Sequence, residues 1–380
     1  MALDRLGRCC RSVLHEPSKR AFLGVVYSGW IKDCIGAKRH LLSEDVIKLQ
    51  DFQQRKLAVA YRLTASKGNF IDVFSQKLKS NKLIMTNELK LLLHLCQSAD
   101  HMVVAREAIY RYHTVNRNMV IGEFKFGPLF MRLCYELGLE EMAAATITDK
   151  TMQGFFNDTT SFNIAINMLF TKHSYENALE VLRTMRNQGV PYNNDTLILA
   201  TGTLYKLNTA ESYRICTAIV EERQTKGYLI PRRAFCFAVG LALRQRDIKK
   251  AESLYSQILN TDSKICSNLK VALLTMSGAV TDAISILSAA KLPKTPYLKK
   301  PEFSQEVVHL LRLRSEGRPY MMEVEQLVTQ LEQAGQLTQE TLDDMLCHTP
   351  IADRRHQPLM SERRTSRRTL RPLKFTLLSE

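Results

Sequence analysis

The sequence predicts an all-α protein, a right-handed solenoid of stacked helix pairs, and two observations carry that expectation. Residues recur at a step of 35: Ala143 and Ala178, Gly154 and Gly189, and Leu129, Leu133, Ile147 and Asp158 map onto Ile164, Met168, Leu182 and Asn193. Within each step the apolar residues fall at helical spacing, as in Tyr175, Ala178, Leu179, Leu182 and Met185, or Ile248, Ala251, Leu254, Tyr255 and Ile258. A fixed period of a few tens of residues marks units that cannot bury an apolar face alone and stack to share one core. Such a stack offers a long surface rather than a closed pocket, so the chain is read first as a binder.

The elements follow in order. Residues 1–21 read as a mitochondrial targeting segment. Arg5, Arg8 and Arg11 share one helical face, Leu3, Leu6, Val13 and Leu14 add apolar surface, and only Asp4 and Glu16 are acidic in the first 30 residues. Residues 22–85 form a linker and helices, the latter at about 43–80. Five units follow at 86–123, 124–158, 159–193, 194–231 and 232–267, and a weaker pair at 268–290 ends the solenoid. In the unit 159–193 the first helix runs over Phe162 to Phe170, Ser174 stands at the N-cap of the second, and Gly189 with Pro191 stops it. Small Ala178 lets the paired helix approach. Residues 291–350 hold further helices, roughly 303–347, and 351–380 form a basic tail.

Charge narrows the partner. The chain of 380 residues carries a net +15, but residues 22–350 hold 40 basic and 33 acidic side chains, a net of only +7. The ends hold the rest. A mildly basic body with a basic tail suits a polyanion, because neutralising phosphates releases counterions. The longest apolar run, Ala234 to Leu243, is ten residues, too short to span a bilayer. Nine cysteines without paired short spacings argue against a disulfide framework and fit a reducing interior.

Chemistry finds little support. His94, Cys96 and His101 lack zinc-site spacing, no glycine-rich phosphate loop occurs, and no cofactor is expected. Glu323, Glu325, Glu332, Glu340, Asp343 and Asp344 fall on polar helix faces rather than converging on a metal. The chain is expected to be no enzyme.

Phe162-Asn163, Ala178-Leu179, Met185 and Gly189-Val190 resemble the motif of the pentatricopeptide repeat family. Pro191 sits one place early, and His173 stands where that family usually has Gly. The match is strong at 159–193 and fair at 124–158; the Trp-x-x-Leu-Gly signature of tetratricopeptide repeats does not occur. The resemblance implies a non-catalytic RNA-binding protein of the mitochondrial matrix, acting in maturation, processing or stability of transcripts needed for the respiratory chain. Its partners would be single-stranded mitochondrial RNA and a processing nuclease or another RNA-processing protein. Family members read one base per repeat with two or three side chains. Carried over, the reading positions are Asn163 and Asn193 in one unit, Pro128 and Asp158 in the unit before, and Ile198 and Pro231 in the next, with Cys236 opening the one after. Asn can bond a base edge; Ile, Pro and Cys read one poorly. Asn163 can equally serve an intra-helix or capping hydrogen bond. Arg232 and Arg233, with Lys125, Arg132, Lys206, Arg244 and Arg246, are expected to track phosphates without reading bases. The alternative is a solenoid that holds a protein in its groove, such as a scaffold of the mitochondrial ribosome or of an assembly.

Overall fold

A computed structural model describes residues 40–63, 70–116, 124–291 and 301–348; the residues expected to form a targeting segment, 1–21, and a basic tail, 351–380, lie outside these. The described chain is helical. It begins with α1 (Glu44–Ile47), α2 (Leu49–Leu63) and α3 (Phe70–Lys79). Helix pairs follow: α4 (Thr86–Leu95) with α5 (Ala99–Asn116), α6 (Gly127–Leu137) with α7 (Glu140–Thr148), and α8 (Thr159–Thr171) with α9 (Tyr175–Asn187). Next come α10 (Asn194–Leu207) with α11 (Ala210–Thr225), α12 (Arg232–Arg244) with α13 (Ile248–Tyr255), and α14 (Lys264–Ser277) with α15 (Val280–Lys291). The pair α16 (Gln305–Ser315) and α17 (Met321–Gln333) and the short α18 (Leu342–Leu346) end the described chain. The strands Phe303–Ser304 and Leu337–Thr338 pair in parallel across the α16–α17 unit.

The solenoid is real, and its repeat has a structural signature. Each first helix packs on the next, from α4 through α6, α8, α10, α12 and α14 to α16. Ala143, Ala178, Ala251 and Ala283 are the fourth residues of α7, α9, α13 and α15, and none is exposed. A larger side chain there would push its helix off its neighbours. The second helices α9 and α11 end alike. Gly189 and Gly227 take φ of +70° and +69°, and the amides of Val190 and Tyr228 reach back to the carbonyls of Met185 and Arg223. This is the left-handed cap that glycine adopts without steric cost.

The same cap corrects the expected end of the stack. Gly335 closes α17 with φ +64°, and Gln336 N–H bonds the Leu331 carbonyl at 3.0 Å. With α16 on α14 and α17 on α15, the α16–α17 pair is another unit, so stacking runs past residue 290. The pair expected at 268–290 begins earlier, at Lys264, where Ser263 accepts from the Cys266 amide. Ser174 holds its predicted cap position, but its side chain makes no capping bond.

Inside the pairs, the turn between helices also needs a left-handed residue. Gly138, His173, Asn208 and Arg246 all have positive φ. His173 spends its ring on the Tyr175 hydroxyl, 2.7 Å away. Arg246 is exposed at φ +60°. A Cβ there is strained and glycine relieves it, offset partly by glycine's freedom in the unfolded chain. Arg246→Gly is therefore expected to stabilise the protein by about 0.5–1 kcal/mol; a melting midpoint that stays level or falls in a thermal scan refutes this.

Candidate nucleic-acid interface

A bare solenoid leaves one side of its first helices open. Here that side is covered. All ten residues from Ser161 to Phe170 on α8 are buried, as are all ten from Ala234 to Leu243 on α12. Neighbouring repeats cannot close every face of a helix, so something else must.

The cover is the chain's own N-terminal segment. Residues 40–48 cross the first helices as a strap. The amides of Leu41 and Leu42 donate to Asn167 Oδ1 at 3.1 and 3.3 Å. His40 Nδ1 meets the Tyr135 hydroxyl at 2.8 Å. The Ile47 carbonyl accepts from Arg132 Nε at 2.6 Å. Leu41 and Leu42 are both buried, and Leu41 fits against α10 because position 202 is glycine: a Cβ there would lie 2.6 Å from Leu41 Cδ1.

The other end of the chain covers α12 and α14. Helix α18 packs on both, with Leu346 seated over Gly240. Asp343 Oδ2 receives the Lys206 ammonium at 2.5 Å, and Asp343 Oδ1 lies 3.4 Å from Arg244. The two ends meet at Arg233. Its guanidinium donates to the Leu41 carbonyl at 2.7 Å, to the Leu346 carbonyl at 3.2 Å and to the His348 carbonyl. Burial pulls its pKa from 12.5 down to about 10, so it stays charged at neutral pH.

The residues singled out from sequence stand as follows. Asp158 caps α8, its carboxylate accepting from the Ser161 amide at 3.0 Å. Asn193 caps α10, accepting from the Thr196 amide at 2.8 Å, and Asn163 Nδ2 donates to Asn193 Oδ1 at 3.2 Å. Asn163 is buried, and Thr196 Oγ1 lies 2.7 Å from its oxygen. The Asn163–Asn193 pair is thus brought together, as the repeat register requires, but in a capping network. Asn163 and Asn167 lie one turn apart on one face of α8, so the strap runs beside the expected reading position. Cys236 is buried 3.7 Å from Cys266.

The expectation for the phosphate-tracking arginines is corrected in part. Arg132, Lys206, Arg233 and Arg244 engage the chain's own strap and α18, because buried carbonyls and Asp343 need partners there. Arg232, next to Arg233, is exposed. Sequence reasoning missed the strap and its receptors Asn167 and Tyr135. The signal was present in α12, whose ten residues from Ala234 to Leu243 carry no charged or amide side chain, a helix that no stack of repeats alone can bury.

Among the described residues, no group of three or more His, Cys, Asp or Glu is placed to hold a metal, and no helix is long and apolar enough to cross a membrane. A one-dimensional stack of such helix pairs, with this register of Ala, Gly and Asn, is a pentatricopeptide-type solenoid.

Comparison with known proteins gives the particular family. The chain is 50% identical over 383 residues to the zebrafish Danio rerio protein called pentatricopeptide repeat-containing protein 2, mitochondrial, covering all of both chains. It is 45% identical to the human protein of that name, over 91% of this chain and 90% of that one, and 44% identical to the mouse protein over 97% of each. The chain belongs to the family of pentatricopeptide repeat-containing protein 2. No protein-family model matches it. Among solved structures, the crystal structure of the pentatricopeptide repeat protein PPR10 from maize aligns with a TM-score of 0.32 and 11% identity, over 80% of this chain and 56% of that one.

Proposed function

We propose that this chain is an RNA-binding protein of the mitochondrial matrix. It acts without catalysis in the maturation or stability of transcripts that serve the respiratory chain, alongside a processing nuclease. The observation that carries the reading is membership of a pentatricopeptide family, a class whose repeats take up single-stranded RNA base by base. The mitochondrial names of its relatives and the Arg-rich residues 1–21 support the address. The degenerate reading positions, with Ile198, Pro231 and Cys236 beside Asn163, Asn193 and Asp158, favour weak base preference. Filter binding of single-stranded homopolymers over a salt series tests it. Affinity should fall steeply with salt, since each phosphate contact released costs counterion entropy. A full-length protein that retains no RNA at low salt would sink the reading.

A second reading has one observation in its favour. The face of the first helices already holds polypeptide, seating Leu41, Leu42 and Leu346 and bonding their backbone. A face built so can hold a protein partner in place of its own ends. Such binding would be apolar and nearly indifferent to salt.

A further inference from the structure

The strap turns at Lys48, a non-glycine residue at φ +55°, into α2. There, between α2, α4 and the start of α6, lies a cleft of about 370 Å³, within the size range of small-ligand sites. Its walls hold Lys48, Arg55, Lys90, Lys125 and Arg132 against one carboxylate, Asp51. Lys48, Arg55 and Lys125 are exposed and have no carboxylate within ion-pair distance among the described residues. Arg132 is half-buried; burial, and then the field of Arg55, lowers its pKa. Like charges gathered in one concavity repel each other, and their repulsion is relieved when an anion enters.

The cleft is also aromatic. Phe124 is partly exposed, its ring packed T-shaped against Phe126, centroids 4.9 Å apart, and Lys90 Nζ lies 3.6 Å from its centroid. Phe52 is buried in the wall. Cations beside an exposed ring are the pairing that binds a nucleotide, the cations on phosphate and the ring against the base.

We propose that this cleft binds a nucleotide unit of single-stranded RNA. Lys48, Arg55 and Lys125 take the phosphate, and Phe124 stacks the base. The inference deepens the RNA-binding reading by placing its contact where the chain's own ends do not cover the surface. The first helices from α8 to α12 are covered; this cleft is open. A free nucleotide carries the same phosphate and base, so the test separates the two sources.

The full chain, its Arg55→Glu/Lys125→Glu variant and a Phe124→Ala variant are compared by fluorescence anisotropy with labelled single-stranded oligouridine. Lys249→Glu, the same kind of charge reversal at an exposed residue of the second helix α13, serves as control. All four are also melted with and without uridine or adenosine monophosphate. The double variant should melt like wild type, since both residues are exposed, and lose at least about tenfold in RNA affinity with a shallower salt slope. Phe124→Ala should lose affinity while keeping the slope, and the control should bind as wild type does. A double variant that binds RNA like wild type overturns the cleft and leaves the RNA reading standing. If wild type binds no RNA, that reading falls. The cleft then stands only if a monophosphate raises the wild-type midpoint and not that of the double variant; no shift in either overturns it too.

Discussion

Arg233→Ala should lower the stability of the protein by about 3 kcal/mol and release both chain ends together. The guanidinium holds the carbonyls of Leu41, Leu346 and His348 at once. Hydrogen bonds to a charged donor contribute more than neutral ones, and each buried acceptor left behind adds a desolvation cost. The midpoint of thermal unfolding should fall by roughly 6 °C, and limited proteolysis should cut near residue 41 and after Leu346 at the same rate. Arg233→Lys should not restore the wild type, since a single ammonium cannot fork to carbonyls from two segments. Arg232→Ala, one position away and exposed, should do almost nothing. Unchanged cleavage in Arg233→Ala would show that the ends are held elsewhere.

Asn167→Leu should be comparably costly. The side chains are close in shape, so no large cavity opens. What is lost is the oxygen that accepts from the Leu41 and Leu42 amides, together with the longer Nδ2 bond to the Tyr135 hydroxyl at 3.4 Å. Leu41 and Leu42 are 1% and 3% exposed, so neither amide can turn to water while the strap stays seated. Each orphaned buried donor costs about 1–3 kcal/mol, which gives roughly 2–4 kcal/mol for the pair once relaxation is allowed. The decisive readout is hydrogen exchange. Amides 41 and 42 should be strongly protected in the wild type and exchange quickly in the variant, while α8 itself stays protected. If they remain protected, the strap is held by its leucines and not by Asn167.

Much of the solenoid was legible from sequence because its determinants are local. Ala178 at a close helix approach, and Gly189 in a left-handed cap, are choices one position makes against its immediate neighbours, and they repeat. The α16–α17 unit was harder to see. Its closing Gly335 lies 146 residues beyond Gly189, after an interrupted period, although its cap has the same bonds. The cover over the first helices could not be read residue by residue. Asn167 and Leu41 are 126 positions apart, and nothing near either one names the other. Only the unbroken apolar run on α12, and an α8 that is apolar on most sides, hinted that a missing face had to be supplied. The same holds for the arginines: Arg232 and Arg233 are adjacent and chemically alike, yet one faces solvent and the other ties the ends down.

The junction at Arg233 also changes how this molecule must fold. In a plain array each unit answers only to its neighbours, so outer units can melt while inner ones persist. Here the Leu41 carbonyl is bonded to a residue 192 positions along the chain, and that residue is bonded to a carbonyl 113 positions further on. The middle of the stack is not finished until the first described residues and the last have both arrived. Contacts of such range slow the search for the native state and make its loss more abrupt. A chain drawn across a membrane from its N-terminus would hold Leu41 in waiting while every repeat emerged behind it, and would lock only when Leu346 came through.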